Sequence, residues 1–193
     1  PAAGALERAR SEILALLPDK RPARREELTV GYRIPGPNMA LAARVLAVSA
    51  ALGALAAIAG LVVGLLVAPS DFQQGDAYRI IFIHVPAAWM SMLIYLAMAF
   101  WAGLGLVLNT RLSSMMARAL APTGAMMTFL SLWTGALWGK PTWGTWWVWD
   151  ARLTSELLLL FLYLGFIALQ AASDDPRRGD RAGAVLALVG VVN

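Results

Sequence analysis

One short segment concentrates the residue types that could hold a flat ligand. Residues 138–150 read WGKPTWGTWWVWD and contain five of the eight tryptophans of the chain. If this stretch is helical, Trp143, Trp146, Trp147 and Asp150 follow the spacing i, i+3, i+4, i+7 and share one face. Indole rings either anchor a protein at the membrane interface or stack on a flat apolar molecule. The concentration favours a stacking surface for a flat apolar ligand or for a partner, because an interfacial belt spreads its aromatic residues over many helix ends.

The sequence contains a single histidine, His84, within IIFIHVPAAWM. An imidazole nitrogen can ligate a metal or a haem iron, although a lone histidine is more commonly hydrogen-bonded to backbone. One histidine cannot supply both axial ligands of a haem. A second ligand would come from a segment beyond residue 193, from another subunit, or from a weaker donor such as methionine. Pro86 suits the first turn of a helix, so a helix is expected to begin near His84.

Charged residues near these two features have alternative interpretations. Arg79, Lys140 and Arg152 are solvated loop charges or, beside an anionic ligand, partners for its carboxylates. Glu156 lies about one turn inside an apolar run, where an unpaired carboxylate is costly. It should therefore face the bundle or a cavity, with Arg152 as a candidate partner. Asp150 is interpreted as positioning its segment, and no catalytic residue is expected, because no second acid or nucleophile accompanies it.

The elements that must position these residues are apolar runs of membrane-crossing length. The chain has 193 residues, 59% of them hydrophobic, and a mean hydropathy of +0.63. Residues 45–67, 84–107, 119–138 and 153–172 each approach the ~20 residues that a crossing requires, whereas residues 182–192 are too few. The prediction is an all-α polytopic transmembrane helix bundle with four complete spans and a truncated fifth. Residues 1–38 form a polar extension, and residues 39–193 form the membrane domain.

Positive charges predict the orientation of these spans. The N-terminal region, the segment around Arg111 and Arg118, and the segment around residues 177–181 hold eight, two and three lysines or arginines. The opposite side holds only Arg79, Lys140 and Arg152. The positive-inside rule places the N-terminus in the cytoplasm, so residues 138–152 and the segment containing His84 both face outward.

Composition also narrows the function classes. Basic residues flank apolar runs, which favours contact with the lipid bilayer over nucleic acid. The chain has no cysteine, which excludes disulfides and thiolate metal sites. The stretch GALWGKPT lacks the spacing of a phosphate-binding loop, so no ATPase site is expected.

Two segments carry a family resemblance. YRIIFIHVPAAWM (residues 78–90) and WGKPTWGTWWVWDARLTSELLLLFLYLG (residues 138–165) are similar to the haem exporter protein C family of the cytochrome c maturation system. That family carries the tryptophan-rich WWD signature WGxxWxWD, and the similarity extends over about residues 40–193. The WWD loop at residues 138–152 includes Trp138 and Trp146 beside the signature residues, which are Trp143, Gly144, Trp147, Trp149 and Asp150.

The resemblance implies a six-span protein of the bacterial inner membrane. Such a protein presents haem b, a transient cargo, on the periplasmic side and hands it to a membrane-anchored haem chaperone. An ABC transporter pair and a small single-span protein are its other partners. The WWD loop would support the porphyrin, and His84 matches the first of two histidines that ligate the iron. The second histidine and the sixth span of the family lie beyond Asn193, so the chain is expected to end within a helix.

Three alternatives are retained. A cytochrome c haem lyase of the same superfamily would be longer, with more spans and more histidines. A small-solute transporter would use Glu156 in its pathway and would show repeats or broken helices, which the sequence lacks. A purely structural membrane subunit would bind no chromophore. The resemblance favours a haem-transfer protein over an enzyme with turnover chemistry of its own.

Overall fold

The computed structural model describes residues 37–193, and this part of the chain is helical, without a β-strand. The predicted all-α membrane helix bundle is confirmed. The predicted extension, residues 1–38, lies almost wholly outside the described residues. The helices are α1 (Pro37–Val62, continued by a wide turn, Val63–Val67), α2 (Ile81–Leu108, preceded by a 3-10 turn, Asp76–Ile80), α3 (Arg111–Trp143), α4 (Ala151–Ala171) and α5 (Pro176–Val189, followed by a 3-10 turn, Gly190–Val192).

Three stretches in the described part are long and apolar enough to cross a membrane. They are Met39–Val67, Asp76–Leu108 and Ala151–Ala171, and they make the chain a multi-pass membrane protein. Helix α3 contains the predicted span 119–138, but its serines, threonines, glycines and prolines lower its hydropathy, so its crossing stays a prediction. Residues 182–192, the predicted partial span, lie in α5 and the turn after it.

The chain divides into two compact units, residues 1–54 and residues 55–193. In the first unit the structure describes the beginning of α1, whose side chains from Met39 onward are exposed. The second unit contains the rest of α1 and helices α2 to α5. Every candidate site residue named above belongs to this second unit.

Small residues let helices α2 to α5 approach closely, as is typical of packing in membranes. The buried alanines are Ala87, Ala99, Ala102, Ala117, Ala121, Ala125, Ala184 and Ala187. Tyr163 is fully buried, and its ring lies directly on Gly124, where a Cβ atom would collide with it. The Tyr163 hydroxyl donates to the carbonyl of Ser91 at 2.8 Å, so a polar contact joins α4 to α2 inside the apolar core.

The start of α2 differs from the expectation. The helix begins at Ile81, after the 3-10 turn, so Pro86 is its sixth residue and does not stand in the first turn. Since the 3-10 turn and the first residues of α2 precede His84, the histidine lies within the helix and not before it. His84 therefore projects from a regular helix whose orientation is set by packing against α3.

Candidate functional site

A cavity of about 500 Å³ opens where the beginning of α2, the end of α3 and the beginning of α4 meet. This volume is typical of small-molecule sites. The cavity brings together five residues that the sequence singled out: His84, Trp138, Trp143, Arg152 and Glu156. His84 is more than fifty positions from the other four in the chain, and the five residues meet because α2 and α4 both pack against α3.

The imidazole of His84 is oriented by α3. Its Nδ1 lies 3.0 Å from the carbonyl oxygen of Ser131 and 3.2 Å from the hydroxyl of Thr134. A carbonyl can only accept, so Nδ1 donates its proton there, and the Thr134 hydroxyl accepts as well because it donates to Leu130 O at 2.7 Å. The lone pair then resides on Nε2, which is the form of histidine that ligates a metal.

Two indoles form the aromatic wall of the cavity. Trp138 meets the His84 ring edge to face at 5.7 Å between centroids, and its Nε1 donates to the side-chain oxygen of Gln74 at 2.8 Å. Trp143 remains 58% exposed, with the Arg152 guanidinium 5.7 Å from its ring centroid. The contact is within range of a cation–π interaction. An apolar face and a positive charge are thus presented together beside the imidazole.

Asp150 begins α4. Its Oδ1 accepts from the backbone N–H of Leu153 at 2.9 Å, which is the geometry of a helix N-cap. Its Oδ2 pairs with Arg152 at 2.7 Å. The Leu153 N–H and, after it, the Arg152 guanidinium lower the pKa of Asp150 below its ordinary value. The carboxylate therefore holds both the start of the helix and the guanidinium in place.

The expected partnership of Arg152 with Glu156 is wrong. Arg152 turns toward the loop and pairs with Asp150, because it stands in the first turn of α4. Glu156 lies one turn deeper, and its Oε1 accepts from the hydroxyl of Ser91 at 2.9 Å. The carboxylate faces the cavity, as its position within an apolar run requires.

The helical interpretation of residues 143–150 is also wrong. Helix α3 ends at Trp143, because Gly144 adopts a left-handed conformation (φ 77°) and its N–H bonds to Lys140 O at 3.1 Å. Trp146 and Trp147 follow in a loop and share no helical face with Trp143. Of the tryptophans in residues 138–150, only Trp138 and Trp143, which belong to α3, line the cavity.

The remaining tryptophans of the loop do not line the cavity. Trp147 meets Trp149 edge to face at 5.3 Å, and Trp149 is 75% exposed. The indole nitrogen of Trp147 is buried and has no hydrogen-bond partner in the described part of the chain. An unpaired buried N–H is unfavourable, so this loop presents an open hydrogen-bonding position.

Two of the three predicted cations lie outside the cavity. Arg79 donates to the carbonyls of Leu65 and Ala68, each at 3.0 Å, and so satisfies acceptors left open where the first apolar stretch ends. Lys140 donates to the carbonyl of Gly144 at 3.1 Å and lies 5.9 Å from the centroid of Trp146. Of the three, only Arg152 lines the cavity.

Ser131 and Thr134 were not predicted as site residues, although they hold His84. Their signal was polarity: two small hydroxyl residues at i, i+3 within an apolar run face a neighbouring helix more often than lipid. Which residue they meet depends on how α2 and α3 are aligned, and the sequence contains no measure of that. Met92, another unpredicted residue, lies two turns beyond His84 and lines the same cavity.

One known protein family matches the part of the chain that contains all of these residues. The model of the family described as Heme exporter protein C matches residues 29–193. The chain belongs to the haem exporter protein C family. The resemblance found in the sequence is thereby confirmed, and the family match extends over the whole cavity and the WWD loop.

Several relatives support this membership. Heme exporter protein C of Escherichia coli is 60% identical over 126 residues, which are 65% of this chain and 51% of that protein. Heme exporter protein C of Bradyrhizobium diazoefficiens is 53% identical over 160 residues, or 82% of this chain and 60% of that protein. A putative cytochrome c biosynthesis ccmC-like mitochondrial protein of Marchantia polymorpha is 50% identical over 127 residues, 66% of this chain and 53% of that protein. The chain spans about half the length of the E. coli relative.

Proposed function

We propose that this member of the haem exporter protein C family binds haem b as a transient cargo in the His84 cavity. It then delivers the haem to a membrane-anchored haem chaperone during cytochrome c maturation. The observation that carries the proposal is the bonding of His84: Nδ1 is held by α3, which leaves Nε2 with its lone pair on a cavity walled by Trp138 and Trp143.

Each part of the cavity matches one part of the cargo. Nε2 of His84 is the ligand for iron. The flat apolar porphyrin stacks on the indoles of Trp138 and Trp143. Arg152 pairs with Asp150, and its remaining N–H groups can also donate to a propionate carboxylate. Met92 offers a thioether within the same cavity as a weaker second ligand, in place of a histidine from outside this chain.

The proposed topology places this site on the periplasmic face of the bacterial inner membrane, with the N-terminus in the cytoplasm. Support comes from the arginine-rich segments around residues 111–118 and 177–181, which lie at the other end of α3 and at the beginning of α5. An ABC transporter pair and a small single-span protein are proposed as the other partners. The exposed part of the WWD loop is the surface offered to the chaperone.

The absorption spectrum of the purified full-length protein tests the ligand. His84→Ala should remove bound haem or greatly weaken its binding, because the cavity then loses its imidazole and residues 1–193 contain no other histidine. Unchanged haem content and an unchanged haem spectrum in this variant would contradict the assignment.

The aromatic wall is tested with a matched pair of tryptophans. Trp143 and Trp133 are both 58% exposed, but only Trp143 lines the cavity, whereas Trp133 stacks on Phe129. Trp143→Ala should impair haem delivery to the chaperone at an unchanged protein level, and Trp133→Ala should leave delivery intact. Equal effects of the two substitutions on protein level, with no difference in delivery, would support a purely interfacial role.

A further inference from the structure

A second cavity, of about 600 Å³, lies at the other end of α2, among α2, α3, α4 and α5. Four arginines line it: Arg111 and Arg118 from α3, and Arg177 and Arg181 from α5. It shares no residue with the His84 cavity. The proposed haem chemistry therefore uses none of these groups.

The cavity carries unbalanced positive charge. Arg118 pairs with Asp180 at 2.7 Å and donates to the carbonyl of Pro176. In the part of the chain that the structure describes, no carboxylate lies within 4.0 Å of the charged nitrogens of Arg111, Arg177 or Arg181. Three of the four arginines therefore have no acidic partner among the described residues. The one acid that lines the cavity, Asp180, is already paired with Arg118.

The same cavity has an apolar floor and an unsatisfied acceptor. Leu106, Met115 and Phe166 line the cavity together with the arginines and form this apolar floor. Gln170 also belongs to the cavity lining, and its side-chain oxygen is buried and accepts no hydrogen bond among the described residues. A ligand that satisfies this set needs an anionic group, an apolar tail and a hydroxyl donor.

We infer that this cavity binds an anionic phospholipid with a glycerol head group. The phosphate lies among the arginines, an acyl chain covers the apolar floor, and a head-group hydroxyl donates to Gln170. The arginines stand where membrane-crossing helices end, on the side that the charge distribution assigns to the cytoplasm. Basic pockets between helices on that side are suited to anionic lipid head groups, and the leaflet there is rich in them.

The test measures lipid binding by the full-length protein. The protein is reconstituted in phosphatidylcholine nanodiscs and titrated with phosphatidylglycerol, and bound lipid is counted by native mass spectrometry. Each arginine near a lipid surface contributes about 1 kcal/mol, which corresponds to roughly fivefold in affinity. Arg111→Gln and Arg181→Gln should each weaken binding about fivefold. Combining them should weaken it about thirtyfold.

Arg178→Gln is the matched control. Arg178 is on the same helix as Arg181, but it does not line the cavity, and its side chain is 87% exposed and lies 3.7 Å from Asp175. This substitution should leave phosphatidylglycerol binding unchanged. Replacing Arg111 and Arg181 with lysine should restore most of the binding, because the positive charge returns. Recovery with lysine separates loss of charge from loss of fold.

Two competition experiments distinguish a lipid phosphate from a soluble phosphate ligand. Inorganic phosphate and glycerol 3-phosphate should compete poorly, since neither covers the apolar floor. Displacement of the lipid by either soluble anion at similar concentration would overturn the proposal in favour of a soluble phosphate ligand. Equal weakening by Arg178→Gln and Arg181→Gln would also overturn it, because binding would then reflect only the general surface charge.

Discussion

Gly135 determines how closely α3 approaches the proposed haem ligand. A Cβ added at Gly135 would lie 3.0 Å from Cε1 and 3.5 Å from Nδ1 of His84. Ordinary carbon contacts lie at about 3.5–4.0 Å, so in Gly135→Ala the imidazole must retreat by roughly 0.5 Å. The retreat lengthens the Nδ1 bonds to Ser131 and Thr134, now 3.0 and 3.2 Å, that fix the ring. Loss of such supporting bonds lowers metal affinity about 10- to 100-fold, and we expect about tenfold here.

The assay is a haem titration followed by absorption, together with transfer of haem to the chaperone. The substitution itself should not unfold the protein, because alanine favours a helix over glycine by about 1 kcal/mol. Gly60→Ala is the control, since a Cβ at Gly60 has no atom within 4 Å. Wild-type haem affinity in Gly135→Ala, with a normal spectrum, would show that His84 is not held as a ligand by α3. A tenfold loss shared by Gly60→Ala would show that the effect is not local.

Two other substitutions test the packing and the loop. Gly124→Ala places a methyl group against the fully buried ring of Tyr163 and should lower the free energy of unfolding by about 1–3 kcal/mol, measured by thermal unfolding against Gly60→Ala. The pKa of Asp150 is lowered in the folded protein from its ordinary 3.8, so its carboxylate stabilises the loop above pH 3.8 and this contribution is lost as pH falls through the lowered value. Acidification through that range should therefore change the fluorescence of the loop tryptophans. Asp150→Asn keeps a capping oxygen but cannot form an ion pair with Arg152, so this acid-dependent change should disappear. If the change persists in Asp150→Asn, another group causes it.

The helices could be predicted from the sequence because long apolar runs leave few alternatives in a membrane. The charge counts predicted only that His84 and the Trp-rich segment lie on the same side of the membrane, not that they are in contact. The structure adds the partners Ser131 and Thr134, which depend on how α2 and α3 are aligned. Periodicity could not supply that alignment, because many small residues on both helices allow several close packings.

The wrong helical interpretation of residues 143–150 has a different cause. The spacing of the tryptophans fits a helix, but Gly144 ends α3 by adopting a positive φ that glycine accepts without strain. Asp150 then starts a new helix by accepting from Leu153. Both signals are present in the sequence, as a glycine and an aspartate at helix boundaries. They indicate a loop between two helices, and side-chain periodicity alone does not register them.

Helix α3 carries both the carbonyl that orients His84 and the indoles of the cavity wall. Ser131 and Trp138 are seven residues apart, which is about 10 Å along a continuous helix, or nearly two turns. The separation between the proposed iron ligand and the proposed stacking surface is therefore determined by the number of residues in this stretch of helix. Inserting one residue between positions 134 and 138 would rotate the indoles by about 100° relative to the imidazole, whereas the loop after Gly144 can change in length without altering that geometry.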